Sequence, residues 1–78
     1  MAKFKQMQIA ITKEQPLNEV RETLEKLGYK RESFCPYDVL TVVTYLDGSY
    51  CEFGFKSDYN ATLEDLKAQE SASDQSHH

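Results

Sequence analysis

The chain has few of the residues from which catalytic and metal sites are usually built. Its two histidines are the last two residues, it has no tryptophan, and its two cysteines lack the C-x-x-C spacing typical of zinc ligands. None of its three glycines belongs to a glycine-rich phosphate loop. These absences argue against an enzyme, a metal site or a bound cofactor, and they leave Cys35 as the one conceivable reactive thiol.

Long apolar runs are also missing. No stretch approaches the roughly 18 apolar residues of a membrane-spanning helix, so we expect no membrane contact. Met1-Ala2-Lys3 leads into polar alternation rather than the apolar core of a secretory signal, which favours a cytoplasmic location. Two cysteines do not make a disulfide framework, and a bond between Cys35 and Cys51 is disfavoured in a reducing compartment.

What the chain does contain is typical of one small globular domain. It has 78 residues, 40% of them hydrophobic and 28% charged. We place the domain at residues 1–70. Residues 71–78 are small and polar, with nothing to bury, and predict a disordered tail. His77 and His78 have the character of a purification-tag remnant and are excluded from functional reasoning.

The strongest local signal is a β-hairpin over residues 37–56 that turns at Asp47-Gly48. Asp-Gly between two β-rich runs predicts a type I′ turn, in which both central residues have φ > 0. A two-residue loop pairs Tyr45 with Tyr50, and alternate residues then point to opposite faces. The predicted core face holds Leu40, Val42, Thr44, Leu46, Cys51, Phe53 and Phe55. The wetter face holds Val39, Thr41, Val43, Tyr45, Tyr50, Glu52, Gly54 and Lys56.

Two elements precede the hairpin. Residues 4–12 predict a strand, because apolar side chains alternate with polar or small ones there. A helix then starts with Pro16 at its first position and ends at Gly28 as a left-handed C-cap, on which Tyr29 packs back. Its apolar stripe comprises Leu17, Val20, Leu24 and Leu27.

Two stretches around the hairpin are less regular. Residues 29–37 predict either a short strand or a loop, and Pro36 disfavours a central strand there. After the hairpin, Thr62 and Asp65 have the spacing of a capping box, which opens a short helix with Leu63 and Leu66 as its apolar contacts.

This order, β-α-β-β-α, predicts an α+β two-layer sandwich with a mainly antiparallel three-stranded sheet and two helices on one face. The first helix joins two strands that are either parallel and adjacent or parallel with the third strand between them. The sequence does not choose between these two arrangements.

Charge is divided unevenly along the chain, whose net charge is −4. Residues 1–31 contain seven basic and four acidic residues, whereas residues 32–78 contain two basic and nine acidic ones. The net negative charge disfavours binding of nucleic acid. The acidic second half of the chain is either a negative surface for a basic partner or simply a solvated exterior. The acidic candidates are Asp47, Glu52, Asp58, Glu64, Asp65 and Glu70.

The predicted binding residues lie on the wetter sheet face: Phe4, Tyr45, Tyr50, Glu52 and Lys56. In the predicted register Tyr45 and Tyr50 are directly opposed, and Phe4 joins them because its strand parity is opposite to that of Met7. An aromatic and basic platform of this kind suits stacking with single-stranded nucleic acid, a protein interface or a homodimer seam. A cross-strand tyrosine pair also stabilises a hairpin without binding anything.

From these features we expect a non-enzymatic protein-interaction module, in the role of a small acidic regulator or inhibitor. Its partner would be another protein or a second copy of the chain. The alternative is a single-stranded nucleic-acid-binding protein that uses the aromatic sheet face. A short chain without motifs also suggests a phage or mobile-element origin.

Overall fold

A four-stranded sheet forms one layer of the protein, and two helices pack against one of its faces. The structure is a computed structural model that describes residues 4–75. The elements are β1 (Met7–Ala10), α1 (Leu17–Lys26), β2 (Lys30–Ser33), β3 (Thr41–Thr44), β4 (Ser49–Phe53) and α2 (Leu63–Gln75). The predicted α+β class is confirmed.

The sheet has the strand order β1-β3-β4-β2 and is mixed rather than mainly antiparallel. β3 pairs antiparallel with β1 and with β4, whereas β2 pairs parallel with β4. The prediction of three strands is wrong because β2, from the stretch left open between strand and loop, adds a fourth strand at the far edge. Helix α1 joins β1 and β2, which are parallel as predicted, but β3 and β4 lie between them, so neither predicted arrangement of the crossover is correct.

Helix α1 has the predicted stripe and the predicted end. Val20 and Leu24 are fully buried, and the flanking leucines pack against the core. Gly28 has φ +99°. The Tyr29 N–H donates to the Leu24 carbonyl at 2.9 Å, and the Gly28 N–H donates to the Glu25 carbonyl, which is the hydrogen-bond pattern of a Schellman motif. Pro16 is the N-cap rather than the first helical residue.

Helix α2 begins at the predicted capping box but is longer than predicted. The Thr62 N–H donates to the Asp65 carboxylate at 2.9 Å, and the Asp65 N–H donates back to the Thr62 hydroxyl at 3.3 Å. The helix continues to Gln75, into the segment predicted to be disordered. No proline or glycine occurs between Leu63 and Gln75, so no residue there breaks a helix. Residues 76–78, with His77 and His78, lie outside the described residues.

The hairpin turn has three loop residues instead of two, and this changes its register. The Tyr45 N–H donates to the Ser49 carbonyl at 2.9 Å, so Leu46, Asp47 and Gly48 form the loop. Gly48 has φ +88° and Asp47 does not have a positive φ, which excludes a type I′ turn. One left-handed residue closing a three-residue loop is the geometry of a turn with a β-bulge.

This one-residue difference exchanges the two faces of β4. Thr44 pairs with Tyr50 and Val42 with Glu52, so all four side chains face the helices. Cys51 and Phe53, predicted to lie in the core, are on the outer face, and Phe55 and Leu46 are largely exposed. The predicted core positions of Val42 and Thr44 in β3 are correct, whereas Thr41, predicted on the wetter face, is also fully buried. The predicted faces of β4 are wrong, because a slip of one residue inverts every side chain of a strand.

The core lies between the inner sheet face and the helices. Its fully buried apolar side chains come from every element except β2 and include Ile9, Val20, Leu24, Val42 and Leu66. The Thr44 hydroxyl, also fully buried, accepts from the Met7 N–H at 2.9 Å and donates to the Lys5 carbonyl. This pair of bonds ties the start of the chain to β3.

After β4 the chain crosses the outer sheet face. The Thr41 hydroxyl donates to the Phe55 carbonyl, and the Tyr59 hydroxyl lies 3.2 Å from the Thr41 hydroxyl. Asn60 then exchanges hydrogen bonds with the main chain of Gln8, and Ala61 forms a parallel bridge with Ile9. Residues 54–61 therefore cover part of the outer face and close the free edge of β1.

Candidate functional site

A buried carboxylate is the most distinctive polar feature of the structure. The Glu52 side chain has 0% exposure and faces the helices from β4. The Arg21 guanidinium, from α1, donates two hydrogen bonds to it, from Nε to Oε2 at 2.5 Å and from Nη2 to Oε1 at 2.8 Å. Arg31, from β2, lies 3.7 Å from Oε2. The ion pairs of Glu52 with Arg21 and Arg31 therefore link β4 to α1 and to β2.

The environment of Glu52 keeps it ionised. Burial alone would raise the pKa of the Glu52 carboxyl, but the Arg21 hydrogen bonds, the charges of Arg21 and Arg31 and the Cys35 N–H outweigh it, so this pKa is lowered. The pKa of Arg21 is raised, chiefly by its hydrogen bond to Glu52. A carboxylate held ionised by a bidentate arginine is a structural ion pair and a poor proton carrier.

The structure does not bring the five predicted binding residues together. Tyr50 and Glu52 are buried on the inner face, whereas Tyr45 is half-buried on the outer face, so the predicted Tyr45–Tyr50 pair is wrong. Phe4 packs against the core, with its ring 4.9 Å from the Tyr29 ring. Lys56 is exposed after β4. Their role in binding stays a prediction, but they do not share one platform.

Aromatic side chains instead gather at the end of the outer face where β4 stops. The ring centroids of Phe53 and Phe55 are 5.1 Å apart, and Phe55 is 58% exposed. Tyr59 follows on the crossing segment, and Tyr37, 82% exposed, belongs to a loop whose Asp38 carbonyl and Cys35 thiol lie near Gly54. We call Tyr37, Phe53, Phe55 and Tyr59 the aromatic end. Sequence reasoning missed it because the two-residue loop placed Phe53 and Phe55 in the core.

A second surface is a groove between α1 and β2, with a volume of about 610 Å³. Its walls include Arg21 and Glu25 from α1 and Lys30 and Arg31 from β2, and Tyr50 lies beneath them. We call it the β2 groove. The sequence does not predict this groove, because residues 29–37 suit a loop as well as the strand that forms one of its walls.

The described residues contain neither a metal-ligand cluster nor a disulfide. Within residues 4–75, no three His, Cys, Asp or Glu side chains are placed to hold a metal ion. Both cysteines are free, and the Cys51 thiol interacts with the Tyr45 hydroxyl on the outer face. Neither helix described between residues 4 and 75 has the length and apolar run needed to cross a membrane.

Comparison with known protein families, with curated proteins and with solved structures gives no match for this chain.

Proposed function

We propose that this chain is a non-enzymatic protein-interaction module that binds a partner protein through the aromatic end and acts as a small regulator or inhibitor. The observation that supports this most is the exposure of Phe55, whose ring packs against Phe53 at the end of a sheet face that neither described helix covers, with Tyr37 exposed on a nearby loop. Clustered exposed apolar side chains mark interaction surfaces, and aromatic residues are enriched in the centres of interfaces.

The charges around the aromatic end indicate the chemistry of the partner. Two exposed acids, Asp38 and Asp58, are close in sequence to the residues of the aromatic end, whereas only one exposed base, Lys56, is. With a net charge of −4, a second copy of the chain would bring like charges together. The partner we propose is therefore a different protein, with an apolar pocket rimmed by lysine or arginine side chains. Two free cysteines support action in the reducing cytoplasm.

Selection of displayed peptides on the full chain tests this proposal. We expect ligands that combine an aromatic or aliphatic anchor with basic residues. Phe55→Ser should weaken their binding at least about tenfold, because an aromatic anchor commonly contributes more than 1.4 kcal/mol. Leu46→Ser is the matched control, since Leu46 is 65% exposed at the other end of the hairpin, and it should leave binding unchanged.

Three results would contradict the proposal. The first is equal binding of the selected peptides by native chain and Phe55→Ser, measured by titration calorimetry. The second is a dimer in sedimentation that Phe55→Ser dissociates, which would make a second copy the occupant. The third is a turnover that disappears in Cys35→Ala, which would make the chain an enzyme.

A further inference from the structure

The β2 groove combines a polar floor with positively charged walls. Tyr50 is 1% exposed, yet its hydroxyl has no hydrogen-bond partner among residues 4–75. No fully buried side-chain oxygen or nitrogen of the described residues lacks a partner, so the hydroxyl is the part of Tyr50 that reaches solvent. The groove is where it does so. A buried phenol whose O–H has no acceptor in the protein can donate a hydrogen bond to a ligand.

The Tyr50 hydroxyl is a donor at neutral pH. Burial raises its pKa, and the charges of Glu25 and Glu52 raise it further. The phenol therefore keeps its proton and offers it to an acceptor in the groove. A carboxylate or phosphate oxygen accepts such a bond more strongly than a neutral group does.

The surrounding charges favour an anion. Arg21, Lys30 and Arg31 line the groove together with one carboxylate, Glu25, and the nearby Glu52 carboxylate is already bonded to Arg21. Arg31 is held near its position by two contacts, 3.7 Å from Glu52 and 5.4 Å above the Phe34 ring, while its side chain stays 42% exposed. Its remaining donors are available to an incoming group. Glu25 would repel an anion, but its side chain is exposed, so solvent and salt screen this repulsion.

The open edge of β2 indicates that the anion belongs to a peptide. β2 is the last strand of the sheet, all four of its residues are exposed, and within residues 4–75 it pairs with β4 alone. An extended segment can add to such an edge by main-chain hydrogen bonds. The groove holds one small group of cations and not a basic track along a strand, which fits an acidic side chain better than a nucleic-acid backbone.

We propose that the β2 groove binds an acidic peptide segment laid along β2, with one carboxylate held by the Arg31 guanidinium and the Tyr50 hydroxyl. This site faces the helix side of the sheet, whereas the aromatic end is on the other face. The proposal is therefore independent of the function proposed above, and a chain that fails one test can pass the other.

The test is an NMR titration of the labelled full chain with hexaglutamate at low ionic strength. We expect amide shifts centred on residues 28–31 and 50, and no such shifts with hexalysine. Shifts absent from these residues would overturn the proposal. Shifts that oligothymidylate produces there and hexaglutamate does not would assign the groove to phosphate groups and would also overturn it.

Three variants make the prediction directional. Arg31→Gln should weaken hexaglutamate binding about tenfold, and Tyr50→Phe should weaken it about threefold or more, because each removes a donor to a charged acceptor. Glu25→Gln should strengthen binding, since it removes the opposing charge. Lys67→Gln, on the exposed side of α2, is the control and should change nothing. Equal affinities for all four variants would show non-specific charge attraction and would contradict the proposal.

Discussion

Glu52 shows how one residue can connect most of the fold. It is a fully buried acid on a strand, its partner Arg21 comes from the helix above, and Arg31 approaches from the edge strand. The ion pair fixes the position of α1 over β4 by two hydrogen bonds with defined geometry. Replacing Arg21 removes both of its hydrogen bonds to the buried carboxylate and leaves Arg31 at 3.7 Å and the Cys35 N–H, and breaking a buried pair in this way is strongly destabilising.

We therefore expect Arg21→Gln to lower the free energy of unfolding by about 3 kcal/mol. Lys26→Gln is the control, because the Lys26–Glu70 pair is 3.9 Å long and its side chains are 62% and 31% exposed. A surface pair of this kind contributes about 0.5 kcal/mol or less. Urea denaturation of the two variants measures both values. Similar losses for the two would show that the Glu52 pair behaves as a surface pair.

At the scale of the element, the hairpin loop determines which residues of β4 are buried. Gly48 meets two requirements there: its φ is +88°, and a Cβ atom on it would lie 2.7 Å from the Phe4 ring. Gly54 has no positive φ, and a Cβ there would meet its nearest neighbours at 3.2 Å. The two glycines therefore offer a matched comparison.

Gly48→Ala should destabilise the chain by roughly 2 kcal/mol, from backbone strain and the clash with Phe4 together. Gly54→Ala should cost clearly less. Thermal unfolding followed by circular dichroism would show this as a larger fall in Tm for Gly48→Ala. The reverse order would mean that the turn relaxes to another loop length, and the register of β4 would then have to be reconsidered.

The same loop explains how far the sequence could predict these elements. Apolar spacing and end signals are local, so the stripe of α1, the cap at Gly28 and the capping box at Thr62 are predicted correctly. Asp47-Gly48 suits both a two-residue and a three-residue loop, and local preference does not decide between them. The register depends on which β4 face fits under α1, where Glu52 meets Arg21, and that is a tertiary contact.

Neither β2 nor the aromatic end can be predicted from the sequence, and the reasons are related. All four β2 residues are polar or charged and exposed, so no alternation marks them as a strand. Residues 30–33 form a strand because the fold places them beside β4, with which they pair. The aromatic end depends on the register of β4, and the β2 groove depends on β2 being a strand. Both candidate surfaces therefore follow from contacts between distant residues.

At the scale of the whole molecule, the lowered pKa of Glu52 makes stability depend on pH. Its carboxyl binds protons less readily in the folded chain than in the unfolded one, where its ordinary value is 4.5. The stabilisation is fully present above that value and is lost as the pH falls through the lower, folded pKa. Asp47 also has a lowered pKa, chiefly from its hydrogen bonds with Ser49, but it lies at the surface.

We expect the urea midpoint of the native chain to fall more steeply than that of Glu52→Gln as the pH is lowered below 4.5, the ordinary pKa of the carboxyl. Asp47→Asn, which removes the exposed acid, should keep most of the native slope. Parallel profiles for the native chain and Glu52→Gln would show that the ion pair does not contribute to acid unfolding.

The bonds between Asn60 and Gln8 also bear on the order in which the chain folds during synthesis. The two residues are 52 positions apart, so β1 emerges from the ribosome long before the segment that covers its outer edge. Until residue 60 follows, β1 exposes unpaired main-chain groups on which another nascent chain can template a strand. A ribosome stalled before residue 60 would therefore release a chain that aggregates, because the edge of β1 is uncovered and the inner sheet face lacks α2.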